Sequence, residues 1–217
     1  MNAVAVNGSP RKKWNTATLL EKALQGASST SQMSKTELVH LYDLNYKGCI
    51  SCFACKAKNG KSYGTCAVDK LTPVLKKVNE ADVILLGSPI YFGSITGEMR
   101  SFMERLFFPL LTYTDPSGSL LSRKVRTAFI YTLGASEEMA RERGFDKPIV
   151  ANEMWMKMIF GASETLCSYD TTQFEDYSKV YAPRFDPAKK AKVREEVFPI
   201  DCEKAFKMGA GLVRELR

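Results

Sequence analysis

The sequence contains one histidine, two tryptophans and no run of about eighteen apolar residues. Without such a run no transmembrane helix is expected. The opening residues, MNAVAVNGS, have neither a basic n-region nor a long apolar h-region. They do not read as a secretory signal, so the expected location is the cytoplasm. A single histidine leaves no Ser–His–acid set and no histidine-rich metal site, and His40, within a strand pattern, reads as structural. The phosphate fingerprints GxGxxG and GxxxxGK[ST] are both missing. No basic stripe is interleaved with aromatics, which argues against a nucleic-acid partner. There is no internal repeat and no low-complexity linker. With no secretion signal, the six cysteines are not expected to form structural disulfides.

What is present is an ordinary globular composition. The chain has 217 residues, 45% of them hydrophobic and 25% charged, enough for one core and read as one domain over residues 1–217. A net charge of +7 attracts anions such as nucleotides and phosphates, although solubility is the plainer reading.

Strands and helices alternate. AVAVNG (3–8) reads as a buried strand ending in glycine. Leu19, Leu20, Ala23, Leu24 and Ala27 then follow the helical period, with Asn15 or Thr16 as cap. TELVHLYDL (36–44) is a second strand. Residues 48–66 are rich in glycine and lysine, hence a loop, and Leu71, Val74, Leu75 and Val78 open a second helix. Within ADVILLGSPIYFG the apolar run of DVILLG reads as a parallel strand covered on both faces. Ile95, Met99, Phe102, Met103 and Leu106 share one helix face. A fourth strand (125–134), a helix (151–160), a fifth strand (162–170) and a C-terminal helix complete the pattern. This alternation predicts an α/β fold with a parallel sheet and helices on both faces. Ligands in such sheets bind beyond the carboxyl ends of the strands, at the topological switch point.

Two stretches lie at that edge. VNGSPRKKWNT (6–16) joins the first strand to the first helix. Helix N-termini offer unpaired N–H groups and partial positive charge, and Ser9, Arg11, Asn15 and Thr16 add donors, so the turn suits a phosphate. The competing reading is a plain polar turn. GSPIYFGS (87–94) ends the third strand with two aromatics. Backbone N–H groups of 90–93 can meet the edge of a planar ring, or Tyr91 and Phe92 simply pack under a loop. YTLG (131–134) ends the fourth strand at the same edge. Together the three strand ends outline a mononucleotide site.

GSPRKKWNT followed by ADVILLGSPIYFGSITGEMRSFMERL resembles the flavodoxin-like NAD(P)H-dependent FMN reductase family over nearly the whole chain. The resemblance implies a three-layer sandwich whose five-stranded parallel sheet has the order 2-1-3-4-5. It implies FMN at the carboxyl edge, NAD(P)H as co-substrate and a small electron acceptor such as a flavin, quinone or azo compound. By motif, Ser9, Arg11, Asn15 and Thr16 would hold the FMN phosphate. Pro89, Ile90, Tyr91, Phe92 and Gly93 would clamp the ring, with Thr132 and Gly134 closing its other side. The flavin would supply the reactive atom, leaving no catalytic side chain. A homodimer or homotetramer is also implied.

GCISCFACKAKNGKSYGTC resembles the iron–sulfur flavoprotein branch of the same superfamily, where four clustered cysteines hold a [4Fe–4S] cluster. Cys49, Cys52 and Cys55 match its C-x₂-C-x₂-C spacing, whereas Cys66 follows a longer gap. Cluster ligands, zinc ligands and free thiols in an acceptor-side loop all remain open, and the gap favours free thiols. The loop is expected beside the open face of the flavin, with Phe53 and Tyr63 shaping the acceptor pocket.

Overall fold

The computed structural model describes residues 1–31, 33–66 and 68–216. Its centre is a parallel sheet of β1 (Asn2–Asn7), β2 (Lys35–His40), β3 (Val83–Tyr91), β5 (Arg126–Thr132) and β6 (Ser163–Ser168), in the order β2-β1-β3-β5-β6. A sixth strand, β4 (Ser94–Ile95), pairs antiparallel with the end of β3. The expected five-stranded sheet therefore gains a two-residue strand. It is too short to produce a period in the sequence, and with β4 set aside the predicted order stands.

Among the described residues, α-helices connect and flank the strands: α1 (Asn15–Ser28), α2 (Thr72–Glu80), α3 (Gly97–Leu110), α4 (Glu137–Glu142), α5 (Asp146–Phe160), α6 (Pro187–Lys192) and α7 (Phe198–Arg214). β2 is shorter than the expected 36–44, because Leu41–Asp43 turn into a 3₁₀ helix.

Side chains alternate across each strand and divide the core. Val4, Val6, Ile84, Leu86, Phe129 and Tyr131 face α2, α3 and α5, where Leu75, Phe102, Met103 and Met156 are buried. Ala3, Ala5, Val83, Leu85, Ala128 and Ile130 face α1 and α7. The small residues of β1 on this second face let α1 lie close to the sheet. α1 and α7 approach closer still. A Cβ added at Gly26 would fall 1.9 Å from the Phe206 carbonyl oxygen, and one at Gly209 would fall 1.8 Å from that of Ala23. Only glycine permits this backbone contact.

The strand order reverses between β1 and β3, and the crevice lies at their carboxyl ends. The Gly8 amide donates to the Gly87 carbonyl at 2.8 Å, closing the floor of that crevice.

Candidate cofactor site and cysteine cavity

The turn after β1 is shaped by Asn7. Its buried side chain accepts from the Ser9 amide at 2.9 Å and its Nδ2 lies 3.0 Å from His40 Nδ1. This is an Asx-type turn, and His40 supports it structurally, as its position in β2 implied. Gly8 is required less for a ligand than for packing: a Cβ there would meet Met99 Cβ at 2.7 Å.

α1 starts at Asn15 with Trp14 at its N-cap, a residue whose side chain makes no cap bond. Its first-turn N–H groups therefore have no intrahelical acceptor, and the helix end attracts anions. Ser9, Asn15 and Thr16 are all buried there. Thr16 and Thr132 share a hydroxyl hydrogen bond of 2.8 Å, which sets Thr132 against the start of α1. Arg11 stacks on Trp14, its guanidinium carbon 3.9 Å from the ring centre, and donates to the Gln173 carbonyl. Trp14 Nε1 and Asn15 Nδ2 both donate to the Thr172 carbonyl, at 3.0 and 2.8 Å. Two of the donors expected to meet phosphate, Arg11 and Asn15, thus reach adjacent carbonyl oxygens of the loop after β6.

The ring-side residues form a tight hairpin. Phe92 (φ 51°) and Gly93 (φ 81°) are the two central residues of the β3–β4 turn, both left-handed as a two-residue hairpin of this hand requires. The backbone strain at Phe92 is notable because the turn leaves its ring fully exposed. Thr96 locks the hairpin to the phosphate turn: its hydroxyl donates to the Gly8 carbonyl at 2.7 Å and caps α3 by accepting from the Met99 amide at 3.2 Å. Ile90, Tyr91, Phe92 and Gly134 line one cavity of about 410 Å³, joined by Phe145 and Gln173. That volume lies within the range of pockets for cofactor-sized ligands. Pro89 stands opposite Thr132 in the β3–β5 register.

The residues present fit FMN. An uncapped, cation-flanked helix end lies at the same sheet edge as an aromatic-walled cavity, and the cavity holds a buried, unpartnered amide oxygen, Gln173 Oε1.

The four clustered cysteines lie elsewhere. Cys49, Cys52, Cys55 and Cys66 all line a cavity of about 390 Å³ along α3, with Tyr46, Phe53, Arg105 and Phe108. The long gap before Cys66 is folded back by Gly64 (φ 73°), whose amide donates to the Cys55 carbonyl at 3.0 Å. Lys56 fastens the loop to the end of α3 through the Pro109 and Leu111 carbonyls. Burial pushes the Cys55 thiol up, against the neighbouring Lys56 ammonium. All six cysteines are free, and among the described residues no three metal-ligating side chains are gathered closely enough to hold an ion. None of the four cysteines lines the cavity at Ile90–Phe92. Within one chain, then, the loop covers α3 and does not reach the ring side as expected. Over α3 the Phe53 ring packs edge-on against Phe108 at 6.0 Å.

Asn7, Trp14, Gln173 and Arg105 belong to these sites but were not singled out in the sequence. Only Asn7 carried a local signal, as the first residue of the turn Asn-Gly-Ser.

Fold and site geometry together define a flavodoxin-like α/β protein with a crevice at its switch point. The sequence profile of the NADPH-dependent FMN reductase family matches residues 1–157, and the chain belongs to that family. It is similar to an iron–sulfur flavoprotein of Methanocaldococcus jannaschii, 36% identical over 106 residues, which are 48% of this chain and 51% of the relative. An iron–sulfur flavoprotein of Archaeoglobus fulgidus is 37% identical over 106 residues, 48% of each chain. The match thus spans about half the length of these relatives. The fold is similar to that of an NAD(P)H:quinone oxidoreductase from Methanothermobacter marburgensis, with TM-score 0.70, 14% identity and 98% of each chain covered.

Proposed function

We propose that the protein is an FMN-dependent oxidoreductase that takes electrons from NAD(P)H and passes them to a small acceptor such as a flavin, quinone or azo compound. One observation carries this reading: the α1 N-terminus with Arg11 and the hairpin cavity at Ile90–Phe92 are locked together at one sheet edge by Thr96. FMN, when bound, supplies the ring that accepts and releases hydride. The chain's residues supply the rest. Arg11, Ser9, Asn15 and Thr16 hold the phosphate, the backbone of 90–93 meets the ring, and Tyr91 and Phe92 shield its face. The exposed stripe of Val150, Met154 and Met158 on α5 supports a homodimer or homotetramer. Among the described residues no helix is long and apolar enough to cross a membrane, in keeping with the proposed cytoplasmic location.

Anaerobic mixing with NADPH tests the reading: rapid bleaching of the flavin band is expected. Flavin released by heat should chromatograph as FMN, and FAD as the dominant species would count against the site assignment.

A second reading is favoured by a specific observation, the four cysteines around one cavity. It makes the chain a cluster-bearing flavoprotein that takes electrons from a protein donor. Iron and acid-labile sulfide on protein prepared without air decide it. About four of each per chain would indicate a [4Fe–4S] cluster, and their absence leaves free thiols.

A further inference from the structure

We propose that Gln173 is the side chain that recognises the edge of the flavin ring. The inference rests on the FMN reading above and extends it to a residue beyond the 1–157 region that the family profile matches.

Four observations point to it. Gln173 lines the cavity walled by Ile90, Tyr91, Phe92 and Gly134. Its Oε1 is buried without a hydrogen-bond partner, a costly state for an amide acceptor that nothing in the core requires. Gly134 has no positive φ to explain it, yet a Cβ there would lie 2.0 Å from Gln173 Nε2, so the glycine makes room for this amide. Finally, the Gln173 backbone is held firmly. Its amide donates to the Tyr177 hydroxyl at 3.1 Å and its carbonyl accepts from Arg11.

The segment before it is stitched to the end of β5. Asp170 and Thr171 donate to the Ala135 and Leu133 carbonyls at 2.8 and 2.9 Å. Buried Lys190 donates to Gly134 at 2.8 Å and to Asp170. Gln173 therefore spans both halves of the site, with its carbonyl at the phosphate donor and its amide at the ring cavity.

The chemistry matches. The oxidised ring system has one N–H donor flanked by two carbonyl acceptors, and a carboxamide presents the complementary acceptor and donor. A backbone clamp at 90–93 can hold the ring's position. A side-chain amide can also discriminate the ring's edge.

Titration of flavin fluorescence tests the assignment with three probes: FMN, riboflavin, and lumiflavin, which has the ring alone. Gln173→Leu should raise the dissociation constant of all three by about the same factor, roughly tenfold for a lost hydrogen bond of about 1.4 kcal/mol. Gln173→Glu keeps the size and an acceptor, which guards against a folding failure. Its negative charge should lower the midpoint potential of bound flavin, since electron density rises on the ring when it is reduced. Loss of FMN binding with riboflavin and lumiflavin unchanged would mean that Gln173 acts through Arg11, and would overturn the proposal. Unchanged binding of all three, or an unchanged potential in the Glu variant, would overturn it as well. Failure of the wild-type chain to bind any flavin would instead overturn the FMN reading itself.

Discussion

Arg105 holds its Nε 2.9 Å from the sulfur of Cys66, the cysteine most distant in sequence from the other three. The same guanidinium donates to Asp69 through Nη1 at 2.6 Å and Nη2 at 3.0 Å, and to the Lys47 carbonyl at 3.2 Å. It is 6% exposed. A cation of α3 thus organises both ends of the cysteine loop.

Replacing Arg105 by leucine should therefore destabilise the fold by about 1.5–3 kcal/mol, the scale of hydrogen bonds to a charged group. Asp69 remains partly exposed, which keeps the loss below that of a fully buried pair. The Arg105 hydrogen bonds hold the Asp69 carboxyl below its usual range, while burial acts the other way. A depressed carboxyl stabilises the fold above the ordinary carboxylate pKa of about 4, and that contribution is lost as the pH falls through its folded value. Denaturant titrations of wild type and Arg105→Leu should differ by a constant amount above about pH 5, and the part of that difference owed to Asp69 should start to shrink only below about pH 4, as the pH falls towards the lowered folded value. A difference that persists undiminished at low pH would show that packing and the bonds to Lys47 and Cys66, not the ion pair, carry the effect.

Arg11→Ala should raise the FMN dissociation constant at least tenfold, because a charge-assisted bond contributes about 1.5–3 kcal/mol. Riboflavin, lacking the phosphate, should bind nearly as before. Equal losses for both ligands would assign Arg11 to the fold, where it stacks on Trp14.

Two glycines of α7 should respond oppositely to alanine. Gly209→Ala forces a Cβ into the Ala23 carbonyl and should cost about 3 kcal/mol, the upper range for overpacking. At this chain length that is roughly 6–12 °C in Tm. Gly211 has nothing within 4 Å of a built Cβ, and Gly211→Ala should stabilise the helix by about 0.5–1 kcal/mol. Thermal melts of both variants read the contrast directly.

Met154→Glu places a charge in the exposed apolar stripe of α5, where Met154 is 50% exposed. Light scattering coupled to gel filtration should show the protein shifting to monomer without loss of helical content. An unchanged mass would move the interface elsewhere.

The sheet was legible because its strands are long enough to show a pattern. The run Val83–Leu86 is buried on both faces, and the helical periods of α1 and α3 place their apolar residues in the core. β4 was not legible, since a two-residue strand has no period. Ser9, Arg11, Asn15 and Thr16 could be read because they follow one another along a single turn. Gln173 and Arg105 could not, since each meets its partners across long stretches of chain: Gln173 reaches back to Arg11, and Arg105 to Lys47 and Cys66. Local spacing carries no trace of such contacts. Gly26 and Gly209 were hidden for the same reason, as each glycine is explained by the other helix.

The crossing of α1 and α7 also bears on how the protein is made. Leu19, Leu20, Ala23 and Ala27 are fully buried, on the face of the sheet that α7 shares with α1. During synthesis that face stays uncovered until α7 (Phe198–Arg214), far behind α1 in the chain, has left the ribosome. α1 (Asn15–Ser28) emerges well before the helix that covers it. A nascent chain should therefore expose this apolar surface to chaperones until α7 has emerged to cover it.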